Sequence, residues 1–575
     1  MEYRKKYESW LSDEAIGAEY REELSTLTDE KEIEDRFYRE LEFGTAGLRG
    51  VRGAGTNRIN EHTVGKATLG LARYLTRQNG QARIVIGYDS RIKSTEFARI
   101  SAQILAHQGH KVYLFDSLRP VPLLSFAIRY LGCDSGIVIT ASHNPAEYNG
   151  YKVYSSYGGQ VTDEEAAAIL AEIEGVSSYG EIQVKDFDTA LADQSIEIVG
   201  EKVDRAYYES IKTLCIKKDL IQDRAGELKV IYTPLHGSGN VPVRTILSEL
   251  GYSQVHVVPE QELPDGRFPT APYPNPENPA VFELALKMNE TINADLIFGT
   301  DPDADRLGVV VIEKDGNTRV LSGNQTGMLI TSYMLKALSE EGRLPDHGVV
   351  IKTIVTTESV RRIAAKYGVE VMDVLTGFKY IGEKIEEFLE TKSHQFIFGF
   401  EESFGYSLGT YTRDKDAVVT AMMVCEMALY YKSKGMTLYD ALMDVYEEFG
   451  YFREGLMSYT RKGKEGSEEI RASLDYFRTL DLKELGGIQV VSKQDFLTSK
   501  EMLADGTVRE LTLPPSNVIK FMLADDSWFV IRPSGTEPKM KAYVAVRGTS
   551  LEDAQQRLTD FTARVEELVQ ASFGS

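Results

Sequence analysis

Apolar and polar positions along the chain change period in a repeated order. Between Arg83 and Ser142, Ile84 to Ile86 is a short apolar run and Ser94 to His107 follows helical spacing; Val112 to Phe115 is a second run. A further helical stretch starts at Val121, and Gly136 to Thr140 is a third run, so the segment reads β-α-β-α-β, with Gly109 placed to stop its first helix. From Lys229 to Thr300 the order returns, with strands at Val230 to Tyr232, Val255 to Val258 and Leu296 to Phe298 and helices starting near Asn240 and Pro279. A third round predicts strands at Val349 to Ile354, Val369 to Val374 and Phe396 to Phe398, and helices at Glu358 to Tyr367 and Phe378 to Thr391. Two helices follow Lys415 and end near Gly450.

The remainder changes character. It predicts strands at Ile488 to Val491, Val518 to Leu523, Trp528 to Ile531 and Ala542 to Val546, closed by a helix from Leu551 to Val569. The expected fold class is therefore α/β: three repeated α/β domains with mixed sheets plus a C-terminal α+β domain, around a central cleft. The expected boundaries are 1–205, 206–320, 321–450 and 451–575, and the 575-residue length agrees with about four domains. Pro264 to Pro279 reads as a long, proline-stiffened loop.

Charge narrows the partners. There are 65 Lys and Arg against 87 Asp and Glu, a net charge of −22, with no basic stripe interleaved with aromatics, so nucleic acid is not an expected partner. An anionic small substrate would need a local positive pocket. Cys133, Cys215 and Cys425 lie far apart without CxxC spacing, which argues against a disulfide framework or a zinc site. Met1 to Trp10 has no apolar signal region, and the most apolar helix, near Ala417 to Tyr431, is interrupted by Glu426 and too short for a bilayer. No membrane partner is expected, and the expected location is cytoplasmic.

Ligands of open α/β sheets gather at the carboxyl ends of strands, where each repeat here ends in a polar loop. The first, Thr140-Ala141-Ser142-His143-Asn144-Pro145, sets a hydroxyl beside an imidazole, the parts of a nucleophile and its proton acceptor; an ordinary Ser/Asn/Pro turn is the plain alternative. The second, Asp301-Pro302-Asp303-Ala304-Asp305-Arg306, sets carboxylates at alternate positions that can face one hard divalent cation, magnesium in particular. An EF-hand is excluded because Arg306 and Ile312 stand where it needs Gly and Glu. The third, Gly399 to Tyr406, offers Glu401, Glu402 and Ser403, either acceptors for sugar hydroxyls or a solvated pair. The C-terminal domain adds Arg532-Pro533-Ser534-Gly535-Thr536-Glu537-Pro538-Lys539, a donor set for a phosphate dianion or else a polar hairpin turn. Walker A is absent and Gly237-Ser238-Gly239 is only part of a dinucleotide fingerprint, so nucleotide binding is not expected.

In this order, the four loops resemble those of the α-D-phosphohexomutases, the phosphoglucomutase and phosphomannomutase superfamily, over essentially the whole chain. The resemblance implies that Ser142 carries a phosphoryl group as phosphoserine and joins Asp301, Asp303 and Asp305 in binding Mg2+. It places Arg306 against the phosphoryl group, Glu401 and Ser403 on sugar hydroxyls, and Arg532, Ser534, Gly535 and Thr536 on the substrate's other phosphate. Gly44 to Arg49 is similar to the family's N-terminal active-site segment, making Arg49 a phosphate contact. Lys152, and Lys379 within Thr376-Gly377-Phe378-Lys379, resemble lysines that assist proton transfer; a solvated surface charge is the alternative for each. Thr376 and Gly377 join the substrate set, and His143 is a further candidate base.

The implied reaction interconverts glucose 1-phosphate and glucose 6-phosphate, with glucose 1,6-bisphosphate as intermediate and activator and a monomer or homodimer as the working form. Ala146-Glu147 replaces the Gly-Gly that many members carry, and Pro302 and Ala304 replace glycines. These changes resemble a branch of bacterial phosphoglucomutases similar to eukaryotic phosphopentomutases, which leaves mannose and pentose phosphates as alternative substrates. A haloacid-dehalogenase-type sugar phosphatase with Asp301 as nucleophile is a rival that leaves the serine and arginine loops idle. A catalytically silent sugar-phosphate sensor would require a missing chemical residue, and none is missing.

Overall fold

The computed structural model describes residues 2–44, 47–461, 463–533 and 539–573. The chain divides into two compact units: Met1–Gly323 with Ile381–Gly399 and Ser403–Thr437, and Asn324–Tyr380 with Phe400–Glu402 and Leu438–Ser575.

In the first unit, a six-stranded sheet runs in the order Gly47–Val51, Tyr148–Ser155, Ser135–Ile139, Arg83–Tyr88, Lys111–Phe115, Ile196–Val199. The last four are parallel, and the first two are added antiparallel. Ser135–Ile139 is buried at every position, as a strand covered on both faces must be, which is why its apolar run shows no alternation. The expected helix at Ser94–His107 is present, and Gly109 follows it at φ +87. A second sheet has the order Thr318–Val320, Leu307–Ile312, Leu296–Thr300, Lys229–Thr233, Gln254–Val257, again a parallel centre with an antiparallel hairpin. Residues between Glu262 and Pro279 form the expected loop, and the helix expected near Pro279 is a short 3₁₀ turn, Pro279–Phe282, followed by Glu283–Ile292.

Three helices absent from the expectation, Glu2–Ser12, Ala18–Ser25 and Glu30–Phe37, open the chain and pack their own core of Tyr3, Tyr7, Trp10 and Phe37. Helix Ala417–Ser433 is buried along most of its length. Its apparent interruption, Glu426, is satisfied there by the backbone amides of Ile216 (3.1 Å) and Lys217 (3.0 Å).

In the second unit, Gly348–Thr353 pairs in parallel with Glu370–Val374. The C-terminal sheet is antiparallel, ordered Tyr451–Thr460, Lys539–Gly548, Trp528–Pro533, Ile519–Leu523, Ile488–Asp495, Lys500–Leu503, Val508–Glu510. Its closing helix, Leu551–Phe573, runs four residues past the expected end. Among the described residues, no helix is long and apolar enough to cross a membrane.

Candidate active site

Both chemical loops of the first unit are hairpin turns, because each central parallel strand hands the chain to an antiparallel neighbour. The serine loop joins Ser135–Ile139 to Tyr148–Ser155, and the acidic loop joins Leu296–Thr300 to Leu307–Ile312. Ser142 sits at φ +51 and Ala304 at φ +50, left-handed conformations that cost energy outside glycine and persist only where neighbours enforce them. The Ser142 amide donates to Thr140 Oγ1 at 2.8 Å, and its carbonyl accepts from Arg91 Nη2 at 2.6 Å. The acidic loop is fastened by amides that begin two helices: Val121 N donates to the Asp303 carbonyl (3.0 Å) and Ala417 N to the Ala304 carbonyl (3.2 Å). Ser238 donates twice to the Pro302 carbonyl, from N at 2.8 Å and Oγ at 2.9 Å. A Cβ on Gly237 would lie 2.5 Å from Pro302 Cα, so Gly237-Ser238 supports the acidic loop by close backbone approach.

These turns bring the hydroxyl and the carboxylates together. Ser142 Oγ is 2.9 Å from Asp301 Oδ2 and 3.1 Å from His143 Nδ1, so its single hydrogen can serve one or the other. Asp301 Oδ1 accepts from the amides of Asp305 (3.1 Å) and Arg306 (3.0 Å). Asp303 Oδ2 receives Thr140 Oγ1 and Lys152 Nζ, both at 3.1 Å. Lys415 Nζ lies 3.2 Å from Asp305 Oδ2 and 3.3 Å from Asp414 Oδ1. Asp303 Oδ1 and Asp305 Oδ1 are buried with no hydrogen-bond partner among the described residues, and one oxygen from each of the three aspartates falls within 4.8 Å of the others. Buried carboxylate oxygens left bare in a converging set fit a hard divalent cation.

The electrostatics agree. Burial first, then the charges of Asp303 and Asp305, push Asp301 well above the usual carboxylate range. Asp305 is also raised, by burial and Asp303, with Lys415 opposing. Burial, the largest influence, would raise Asp303 as well, yet Lys152, a hydrogen bond with Asp301 and the charge of Lys415 together hold Asp303 below its ordinary value. Desolvation, reinforced by Arg306 and Arg49, drives His143 well below 6.5, so its imidazole is neutral at physiological pH.

Around this centre, Arg49 Nη1 donates to Asn144 Oδ1 at 3.3 Å, Arg306 pairs with Glu277, and Tyr273 lies edge-on to the His143 ring, centroids 6.2 Å apart. Lys152 is buried and ion-paired, which removes the surface-charge alternative for it. Ser403 is half-buried in the same unit. The second unit holds Glu401, whose Oε1 accepts from the Gly377 amide at 3.0 Å, and Thr376, whose Oγ1 is buried without a partner among the described residues. It also holds Lys379, whose Nζ lies 4.9 Å from the Tyr380 ring centroid, and Arg532 near the end of Trp528–Pro533. Ser534, Gly535 and Thr536 lie outside the described residues.

Sequence reasoning missed Lys415, Arg91 and Glu277. Only Lys415 had a local signal, the charged run Arg413-Asp414-Lys415-Asp416 entering the most apolar helix; the others are brought in by tertiary structure.

Three family models, phosphoglucomutase/phosphomannomutase alpha/beta/alpha domains I, II and III, match residues 40–180, 205–314 and 322–449. The chain belongs to the phosphoglucomutase/phosphomannomutase family. A phosphoglucomutase of Staphylococcus haemolyticus is 36% identical over 557 residues, covering 96% of this chain and 98% of its own. One from Staphylococcus epidermidis is 38% identical over 522 residues, covering 90% and 93%. In fold, the chain is similar to pp63/parafusin, an exocytosis-sensitive phosphoprotein and phosphoglucomutase of Paramecium solved in an open form. That similarity has a TM-score of 0.66 at 16% identity, over 93% of this chain and 95% of that one. The expected α/β class, three repeated α/β domains with mixed sheets followed by a C-terminal domain, agrees with the three matched alpha/beta/alpha domains.

Proposed function

We propose that this family member interconverts glucose 1-phosphate and glucose 6-phosphate through a phosphorylated Ser142 and a glucose 1,6-bisphosphate intermediate. The observation that carries the reading is the placement of Ser142 Oγ, 2.9 Å from Asp301 in a buried acidic triad and 3.1 Å from the neutral His143. Magnesium held by Asp301, Asp303, Asp305 and an oxygen on Ser142 would neutralise charge on the transferred phosphoryl group.

In the forward half-reaction the bond from Ser142 Oγ to phosphorus breaks as a sugar hydroxyl bonds to the same phosphorus, and the hydroxyl proton ends on Ser142 Oγ. His143 Nδ1, within reach of Oγ, is the group proposed to pass that proton, with Lys152 and Lys379 assisting. Arg306 and Arg49 supply positive charge to the phosphoryl oxygens. The bisphosphate then reverses its orientation and returns its other phosphate to Ser142. Glu401 and Ser403 are proposed to hold sugar hydroxyls, and Thr376 and Gly377 are assigned to the same substrate set. Arg532, Ser534, Gly535 and Thr536 are proposed to hold the non-reacting phosphate. The four-domain division at 205, 320 and 450 and a cytoplasmic location belong to the same proposal.

A dehalogenase-type phosphatase with Asp301 as nucleophile would leave idle the Ser142 hydroxyl that stands 2.9 Å from Asp301 Oδ2, as well as the arginine loop. Initial rates on glucose 1-phosphate, mannose 1-phosphate and ribose 1-phosphate test the proposal. The expected result is isomerisation fastest on the glucose substrate with no net phosphate release; a faster pentose or mannose reaction, or stoichiometric phosphate release, would overturn it.

A further inference from the structure

We infer that Arg91 is a positioning residue for phosphoryl transfer, holding the serine loop in its reactive shape; the inference rests on the phosphoserine reading above. Arg91 stands in the turn after strand Arg83–Tyr88, and its side chain is wholly buried, as is that of its ion-pair partner Asp89 at 3.4 Å. Its guanidinium donates to four carbonyls of the serine loop and the strand that follows: Ser142 at 2.6 Å, Pro145 at 2.8 Å, Tyr148 at 3.1 Å, and Asn144. A planar fork can reach acceptors spread over seven residues, whereas a lysine ammonium places all its donors on one atom.

Two of these contacts bear on the reacting group. The bond to the Ser142 carbonyl fixes the peptide that follows the strained φ of +51, and the bond to Asn144 fixes the residue that meets Arg49. Arg91 does not touch Ser142 Oγ, so its action is on the shape of the loop.

Arg91 is itself clamped from two sides. Asp89 Oδ1 accepts from Arg91 N (2.9 Å) and Ser94 Oγ (2.8 Å). On the other side, the ring of Phe268 lies 5.0 Å from the guanidinium carbon, a cation–π contact supplied by the long proline-stiffened loop. That loop is seated by Gly266, where a Cβ would fall 2.5 Å from Ile92 N. Farther along, the same loop carries Tyr273 to His143 and Glu277 to Arg306, so one segment braces Arg91, the His143 imidazole and the Arg306 guanidinium.

The test compares Arg91→Lys and Arg91→Ala with the wild type, reading kcat, KM, and phosphate uptake on Ser142 from glucose 1,6-bisphosphate by intact mass. Misplacing a reacting group by about 1 Å costs about 100-fold in rate. Arg91→Lys should therefore lose about 100-fold in kcat with KM within about threefold, take up phosphate correspondingly slowly, and remain folded by circular dichroism. Guanidinium chloride, but not methylammonium chloride, should restore part of kcat to Arg91→Ala. If the wild type takes up one phosphate while Arg91→Lys matches it in kcat and uptake, the positioning role is wrong and the phosphoserine reading stands. A wild type that never takes up phosphate overturns the reading itself. If neither variant folds, Arg91 is a folding requirement and the inference is overturned.

Discussion

Replacing Lys152 by Met removes the cation that pairs with the buried Asp303. Lys152 Nζ is 3.1 Å from Asp303 Oδ2, with side chains 11% and 0% exposed, so solvent screens the pair little. At an effective dielectric near 20 the pair attracts by about 5 kcal/mol, and breaking buried pairs by removing one partner costs about 3 to 5 kcal/mol. We expect a loss of about 4 kcal/mol in the first unit of the metal-free protein. Saturating Mg2+ should recover much of it, because Asp303 Oδ1 is free to meet a cation that replaces the missing charge. The assay is urea unfolding in chelator and in Mg2+, followed by Trp10 fluorescence in a Trp528→Phe background, since Trp10 packs in the N-terminal helical core of that unit. Arg4→Met is the control: its pair with Glu30, in the same unit as Trp10, is half exposed, and its cost should stay below about 1 kcal/mol. A loss below about 1 kcal/mol for Lys152→Met in chelator, or one unchanged by Mg2+, would refute the reasoning.

Gly237→Ala should weaken Mg2+ binding in calorimetry and cost about 1 to 3 kcal/mol, because the new Cβ must displace the Pro302 backbone; an unchanged affinity would show that the acidic loop tolerates movement. Glu358 is buried with Lys352 (3.1 Å) and Lys520 (3.0 Å), and although burial would raise it, these lysines and Arg361 hold it well below the carboxylate range. A depressed folded pKa contributes stability above the unfolded value near 4.3 and loses it as pH falls through the folded value. Glu358→Gln should therefore be about 3 to 5 kcal/mol less stable at pH 7, with the gap closing below about pH 4; a gap independent of pH would contradict the assignment. Arg532→Ala should raise KM more than it lowers kcat in steady-state assays, and unchanged kinetics in both directions would remove it from the substrate site.

What was legible in the sequence follows from how local each signal is. Ser135–Ile139 and Leu296–Thr300 announce themselves because strands buried on both faces are apolar throughout, and the polar loops that follow are conspicuous by contrast. Asp301, Asp303 and Asp305 form their centre within one turn, so spacing alone suggests it. Tyr451–Thr460 was missed because Arg453, Glu454 and Gly455 interrupt its pattern; only pairing with Lys539–Gly548 makes it a strand. Lys152 looks like a surface charge in sequence because its partner Asp303 is 151 residues away. Arg91 has no signal at all, since its four acceptors are backbone carbonyls, which every residue possesses.

The most direct test of the central claim is the dependence of activity on the phosphate at Ser142. Protein stripped of phosphate, verified by intact mass, should not convert glucose 1-phosphate until glucose 1,6-bisphosphate is added. A monophosphate that gives its only phosphate to the serine leaves free sugar and cannot complete the exchange. Activity should then appear together with one added phosphate, and neither should appear in Ser142→Ala. Conversion by the phosphate-free protein with no lag and no bisphosphate would contradict the account.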